Sequence, residues 1–256
     1  MPLDRSALIH AITKIAREAG DKILNIYQQD FDVKTKSDSS PVTEADIEAE
    51  KIIQAGLKNI TPDIPILAEE SNAAGNVVDL SGGIFWLVDP LDGTKEFVHK
   101  RGEFTVNIAL IENGRPTMGV IHIPAKNMTY YAEGAGKVWR QEADGTPEPI
   151  STRPTPQDGL TVVASRSHRT PETDDYIKKY DVKELISAGS SLKLCLVAEG
   201  NADLYPRFGR TMEWDIGAGQ AILEAAGGTV ETLEGAPLRY GKNGHDNPYF
   251  IAKGRP

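Results

Sequence analysis

The sequence predicts an α/β protein built in two lobes, and three observations carry that expectation. Two amphipathic helices come first, a run of short β segments with a hairpin signal follows, and strands and helices then alternate to the end.

In the first helix Leu8, Ile12, Ile15, Ala19, Ile23 and Ile26 recur every three or four residues, which places them on one helical face. Residues 31–40 are polar and aperiodic, and KSDSSP reads as a loop. Thr43 and Asp46 form a capping-box pattern that opens a second helix, with Ile47, Ile53, Leu57 and Ile60 down one side. Asp46 thereby sits in a first helical turn, where a carboxylate is favoured. Segments 64–68, 84–88, 105–111, 117–123 and 129–132 read as strands, and ENGRP between the third and fourth as a hairpin. A change of composition at RPTPQDG puts a boundary near residue 150, giving lobes 1–150 and 151–256. The second lobe begins with a strand at 160–164 and a helix opened by Thr170 and Pro171. A helix ending at Gly200, a strand at 202–205 and a helix over 216–226 stopped by Gly227 and Gly228 follow. Strands at 229–232 and 249–252 close the chain.

The chain has 256 residues, 39% of them hydrophobic and 25% charged, as in ordinary soluble domains. It has no apolar run of about 18 residues that would cross a membrane, and MPLDRSALIH lacks the pattern of a signal peptide. Its one cysteine, Cys195, lies among apolar neighbours, which fits a core position and a reducing cytosol. A formal net charge of −9 argues against binding a nucleic acid polymer. A local group of cations can still hold a small anion.

The chemistry centres on WLVDPLDGTKEF, where an apolar run ends in Asp89 and Asp92. Pro90 and Gly93 suit a tight turn. Two aspartates so close repel one another, so the pair is either a solvated Asx turn or the seat of something positive. Other acids also stand at element ends beside apolar runs: Glu69 and Glu70 in ILAEES, Asp215 just before a helix in EWDIGAG, and Asp46. Oxygen ligands of this kind suit a hard divalent cation. The five histidines are scattered without zinc spacing, and there is no EF-hand loop. Mg²⁺ fits best, since it takes a few carboxylates and leaves positions for water and a substrate phosphate. Gly217, Ala218 and Gly219 could offer backbone N–H groups to that phosphate, tight helix packing being the other reading. Lys193 in GSSLK and Arg207 in LYPRFG, with Ser190 and His168, could form an anion pocket.

At this point SPVTEAD, LAEES, DPLDGTKEF and WDIGAG, in that order, resemble the inositol monophosphatase superfamily of magnesium-dependent, lithium-sensitive phosphatases. The resemblance runs from the first helix to NPYFIA near the end of the chain. Within the superfamily, DGTKEF, SRSH at 165–168 and GSSLKLCLVAEGNADLYPRFG at 189–209 look like the CysQ-type 3′(2′),5′-bisphosphate nucleotidases. The resemblance implies a layered α+β sandwich of αβαβα architecture, as in fructose bisphosphatases. It implies hydrolysis of adenosine 3′,5′-bisphosphate to AMP and phosphate, with 3′-phosphoadenylyl sulfate as a second substrate. An inositol phosphatase or sugar bisphosphatase is the nearest alternative, and a non-catalytic metal or nucleotide sensor the alternative of another class.

By the same resemblance, two or three Mg²⁺ ions would be held by Glu69, Asp89, the Leu91 carbonyl, Asp92 and Asp215, with Asp46 holding a third ion or its water. Glu69 and Thr94 would orient the attacking water, and Gly93 and Thr94 would offer N–H groups to the transferred phosphate. His168, Ser190, Lys193 and Arg207 would contact the adenosine and the retained phosphate. Asp215 would also face the substrate, and Lys36 would stand near a phosphate. The implied partner is a small nucleotide, for a cytoplasmic monomer or homodimer; attachment to the cytoplasmic face of the inner membrane is left open.

Overall fold

The computed structural model describes residues 4–35 and 41–255. Lys36, expected near a phosphate, lies outside the described residues. Helix α1 (Arg5–Tyr27) is capped by Asp4, whose carboxylate accepts from the Ala7 N–H, and it buries the six apolar positions read from the sequence. Helix α2 (Glu44–Ile60) opens on the expected Thr43–Asp46 capping box. Its buried stripe is Ala45, Ala49, Ile53 and Leu57, four residues apart, whereas Ile47 is 41% exposed. Two residues on from Ala45 is about 200° around a helix, so Ile47 belongs to the opposite face. Strands β1 (Val33–Thr35) and β2 (Pro41–Thr43) pair as a short antiparallel ribbon, where the sequence reads as loop.

A seven-stranded sheet follows in sequential order: β3 (Ile66–Ala68), β4 (Ile84–Asp92), β5 (Thr105–Glu112), β6 (Arg115–Ile123), β7 (Met128–Gly134), β8 (Lys137–Glu142) and β9 (Glu148–Pro149). The expected hairpin joins β5 to β6 through Asn113 and Gly114, both at positive φ (52° and 73°), which gives the strands the twist they need. Phe85, Leu87, Ala109 and Ile111 point into one core, while Trp86, Val88, Val106, Ile108 and Leu110 pack with α1 and α2. Both faces are covered, which is why 84–88 is an unbroken apolar run rather than an alternating one. Two short helices, α3 (Glu69–Ala73) and α4 (Thr94–Val98), leave the ends of β3 and β4.

The second sheet runs β11-β10-β12-β14-β13, with β10 at Leu160–Ser165, β11 at Val182–Ala188, β12 at Leu204–Arg207, β13 at Thr229–Thr232 and β14 at Phe250–Lys253. Helix α5 (Pro171–Ile177) covers its outer face over Val162, Ala164, Leu204 and Ile251. Helices α6 (Leu192–Ala198) and α7 (Glu213–Ala225) fill the space between the sheets. The layers are therefore α1/α2, large sheet, α6/α7, small sheet and α5, the αβαβα order that the resemblance implies. The sequence does not reveal β11, a largely exposed edge strand in which Lys183 and Glu184 interrupt the apolar pattern. Among the described residues no helix is long and apolar enough to cross a membrane.

Gly217, Ala218 and Gly219 lie past the first turn of α7, where backbone N–H groups are bonded within the helix. A Cβ on Gly219 would stand 2.9 Å from the Leu194 Cβ, and one on Gly217 2.8 Å from the Leu87 Cδ2. Their smallness lets α7 close on α6 and β4, so the packing reading of this triplet holds and the anion reading does not.

Candidate active site

The site grows from the end of β4. Asp89 opposes Asn107 and Asp92 opposes Thr105, so three steps along β4 match two along β5. The quartet is thus a β-bulge rather than the reverse turn suggested by the sequence. Asn107 and Thr105 are two apart and share a face, so Asp89 and Asp92 share it too, which residues three apart in an unbroken strand would not. Pro90 suits the bulge, where a missing N–H costs no ladder bond. One Asx feature remains: the Asp89 Oδ1 accepts from the Leu91 N–H at 3.0 Å. Gly93 then takes a left-handed φ of 92° to start α4, and a Cβ there would approach the Glu103 carbonyl to 3.1 Å.

Asp46 is nearly wholly buried. Its Oδ2 accepts from the Thr43 N–H and hydroxyl, each at 2.8 Å, and its Oδ1 accepts from the Thr94 hydroxyl at 3.2 Å. The capping-box acid of α2 is therefore also the anchor of Thr94. Asp92 is half-buried, and its Oδ2 accepts from the Ser191 N–H at 2.6 Å and the Ser191 hydroxyl at 2.7 Å. That hydroxyl also lies 2.6 Å from the Asp215 carbonyl, and its single proton serves one acceptor at a time. Asp215 sits inside the first turn of α7 rather than ahead of it, with its Oδ2 accepting from the Met212 N–H at 2.8 Å.

Burial, and then the neighbouring Asp92 and Glu69 carboxylates, push the Asp215 carboxyl well above the ordinary range. Burial also raises Asp92; Lys193 and Ser191 pull it back and Glu96 pushes it further up. Acids crowded against one another in this way are stabilised as anions by a divalent cation.

Cations stand beside these acids: Lys193 acts on Asp92, and Arg207 on Asp215. Lys193 is buried, its Nζ donating to the Ser190 carbonyl at 2.5 Å and lying 5.4 Å from the centre of the Tyr205 ring. Burial lowers its pKa to about 8, against the pull of Asp92. Arg207 is 8% exposed; its Nη2 donates to the Arg210 carbonyl at 3.0 Å, while its buried Nε has no partner among the described residues. The His168 ring stands with its Nε2 3.5 Å from the Lys95 Nζ. Burial, then Lys95 and Arg207, lower its pKa to about 4, so the imidazole is neutral near pH 7.

Acids and cations share a cleft of about 590 Å³. Glu69, Asp92, Thr94 and Asp215 line it together with Gly93. His168, Ser190, Lys193 and Arg207 line the same cleft. Asp46, Asp89 and Leu91 are not among its lining residues: Asp46 reaches the cleft through Thr94, and the other two lie in the bulge. Among the described residues no three acidic, histidine or cysteine side chains are already drawn into a group that could hold an ion. The donor set nevertheless fits a hard dication, being all oxygen, with the Asp92 and Asp215 carboxyls both raised and so favoured as anions by a bound cation.

Sequence reasoning missed Ser191, which joins β4, α6 and α7, and Glu96, a buried acid whose Oε1 accepts from the Ser167 hydroxyl at 2.6 Å. Ser191 and Asp92 are 99 positions apart, and no local pattern links them.

Residues 4–249 match the Inositol monophosphatase family. The 3′(2′),5′-bisphosphate nucleotidase CysQ of Escherichia coli O6:H1 is 47% identical over 91% of this chain and 94% of its own. The protein of the same description from Escherichia coli K12 is 46% identical over the same shares. The crystal structure of CysQ from Bacteroides thetaiotaomicron, described as a bacterial member of the inositol monophosphatase family, superposes with a TM-score of 0.82 at 43% identity, covering 98% of each chain.

Proposed function

The chain belongs to the inositol monophosphatase family, and on that premise we propose that it is a metal-dependent 3′(2′),5′-bisphosphate nucleotidase that hydrolyses adenosine 3′,5′-bisphosphate to AMP and phosphate. The reaction removes a by-product of sulfate activation. The observation that carries the substrate is one cleft lined both by the acids Glu69, Asp92 and Asp215 and by the buried cations Lys193 and Arg207. A substrate with one phosphate has a use for the acids and their ions only; the second phosphate of a bisphosphate takes the buried cations as well.

The lobes 1–150 and 151–256 close on this cleft, the first supplying most of the acids and the second Asp215 and the cations. Glu69, Asp89, the Leu91 carbonyl, Asp92 and Asp215 would hold two Mg²⁺ ions, with Asp46 near a third. When bound, such ions polarise the phosphoryl group and make water a stronger nucleophile. The protein's own groups do the positioning. Thr94 donates its hydroxyl proton towards Asp46 and so presents acceptor lone pairs to a water, which Glu69 also orients. The Gly93 and Thr94 N–H groups receive the transferred phosphate. Lys193, Arg207 and Ser190 hold the retained phosphate, and neutral His168 contacts the adenosine.

Phosphate release from adenosine 3′,5′-bisphosphate and from inositol 1-phosphate, compared with Mg²⁺ and then with added Li⁺, tests the reading. The expected result is a strong preference for the nucleotide and inhibition by Li⁺. Preference for inositol phosphate would overturn the role of the buried cations, and release from neither substrate would overturn catalysis itself.

A further inference from the structure

Helix α3 begins at Glu69, yet Ala68 before it offers no side chain to cap the first turn. The cap comes from another helix. The Glu50 Oε2 accepts from the Glu70 N–H at 2.7 Å, and its Oε1 accepts from the Ser71 N–H at 2.8 Å and the Ser71 hydroxyl at 2.5 Å. Gln54, one turn along α2, steadies the same oxygen from its Nε2 at 3.0 Å. Glu50 is 5% exposed and does not line the cleft. A buried carboxylate is costly unless donors converge on it, and here they are the N–H groups just after Glu69.

Asp46 and Glu50 stand four residues apart, one turn along the same face of α2. The first fixes the Thr94 hydroxyl and the second fixes the turn that presents Glu69. We infer that Glu50 is a positioning residue for Glu69, so that one rigid helix sets both groups that face the attacking water. This rests on the reading of the cleft as a metal-dependent site. A helix cap without that role would affect stability alone; a positioning role reaches the ion, because partners that orient metal ligands carry about 10–100-fold in metal affinity or activity.

The test compares wild type, Glu50→Gln and Glu50→Ala. Mn²⁺ binding is followed by the electron paramagnetic resonance of the free ion, and half-saturating Mg²⁺, nucleotide KM and urea stability are measured alongside. Glu50→Ala is expected to bind Mn²⁺ about 10–100-fold more weakly and to need correspondingly more Mg²⁺, with nucleotide KM within about twofold. Glu50→Gln, which keeps one acceptor oxygen, should fall between, and it carries the comparison if the alanine variant does not fold. Lowered stability with Mn²⁺ binding unchanged would overturn this inference and leave the cleft reading standing. Failure of the wild type to bind Mn²⁺ would overturn both.

Discussion

Arg207→Ala tests the role of the buried cations. The guanidinium is 8% exposed, its Nη2 is engaged by the Arg210 carbonyl, and its Nε is buried without a partner among the described residues. A hydrogen bond to a charged group contributes about 1.5–3 kcal/mol. At about 1.4 kcal/mol per tenfold, removing it should lower kcat/KM for adenosine 3′,5′-bisphosphate roughly 10–150-fold. The lower end is the better expectation, because Arg207 also depresses the pKa of Lys193, and its removal lets that lysine hold its proton more firmly. The contact is to a phosphate that does not react and is made equally before and during the reaction, so the loss should appear in KM rather than kcat. The assay is initial-rate phosphate release from the bisphosphate and from adenosine 3′-monophosphate, with thermal melts to confirm folding. For the monophosphate the change should stay within about threefold. Equal losses on the two substrates would refute the assignment of Arg207 to the retained phosphate.

Asp92→Asn should lower kcat by roughly 10²–10³ or more. It also removes one charge from a crowded acidic cluster, so the melting temperature in EDTA should not fall; a variant of undiminished turnover would contradict the role of Asp92. Lys193, with a pKa lowered to about 8, loses its charge as pH rises through that value, so kcat/KM for the bisphosphate should decline above pH 8. Lys193→Arg should abolish that basic limb, and a limb that persists belongs to another group. The sign for stability is the opposite. The folded state binds this proton less tightly than the unfolded one, so the lysine's contribution to stability grows as pH rises from about 8 towards its ordinary value. Gly219→Ala should cost about 1–3 kcal/mol in urea unfolding by forcing α7 off Leu194, while KM is unchanged if the folded fraction is taken into account.

What the sequence shows of this fold is what periodicity and turn chemistry encode locally. The face of α1, the Thr43 cap and the Asn113–Gly114 hairpin each depend on residues within a few positions of one another. Ile47 misled because apolar character alone does not fix which side of α2 it occupies; the small residues Ala45 and Ala49 mark the true face. Strand β11 was hidden because an edge strand needs little apolar alternation. The acids could be picked out because each ends an element beside a buried run. Their relative placement could not, since it depends on a bulge opposite β5 and on Ser191, which reaches Asp92 from the other half of the chain. Glu50 escaped for the same reason: its importance lies in the N–H groups of a helix some twenty residues away.

On this mechanism one phosphate of the substrate meets the acids and the other meets the buried cations. Diffraction from crystals soaked in Mg²⁺, AMP and phosphate would locate both phosphates. The expected result is density for ions among Asp92, Asp215 and Glu69, free phosphate beside Gly93 and Thr94, and the AMP 5′-phosphate on Lys193 and Arg207. An AMP molecule with its 5′-phosphate among the acids, or bound outside the cleft, would rule out this placement of the two phosphates.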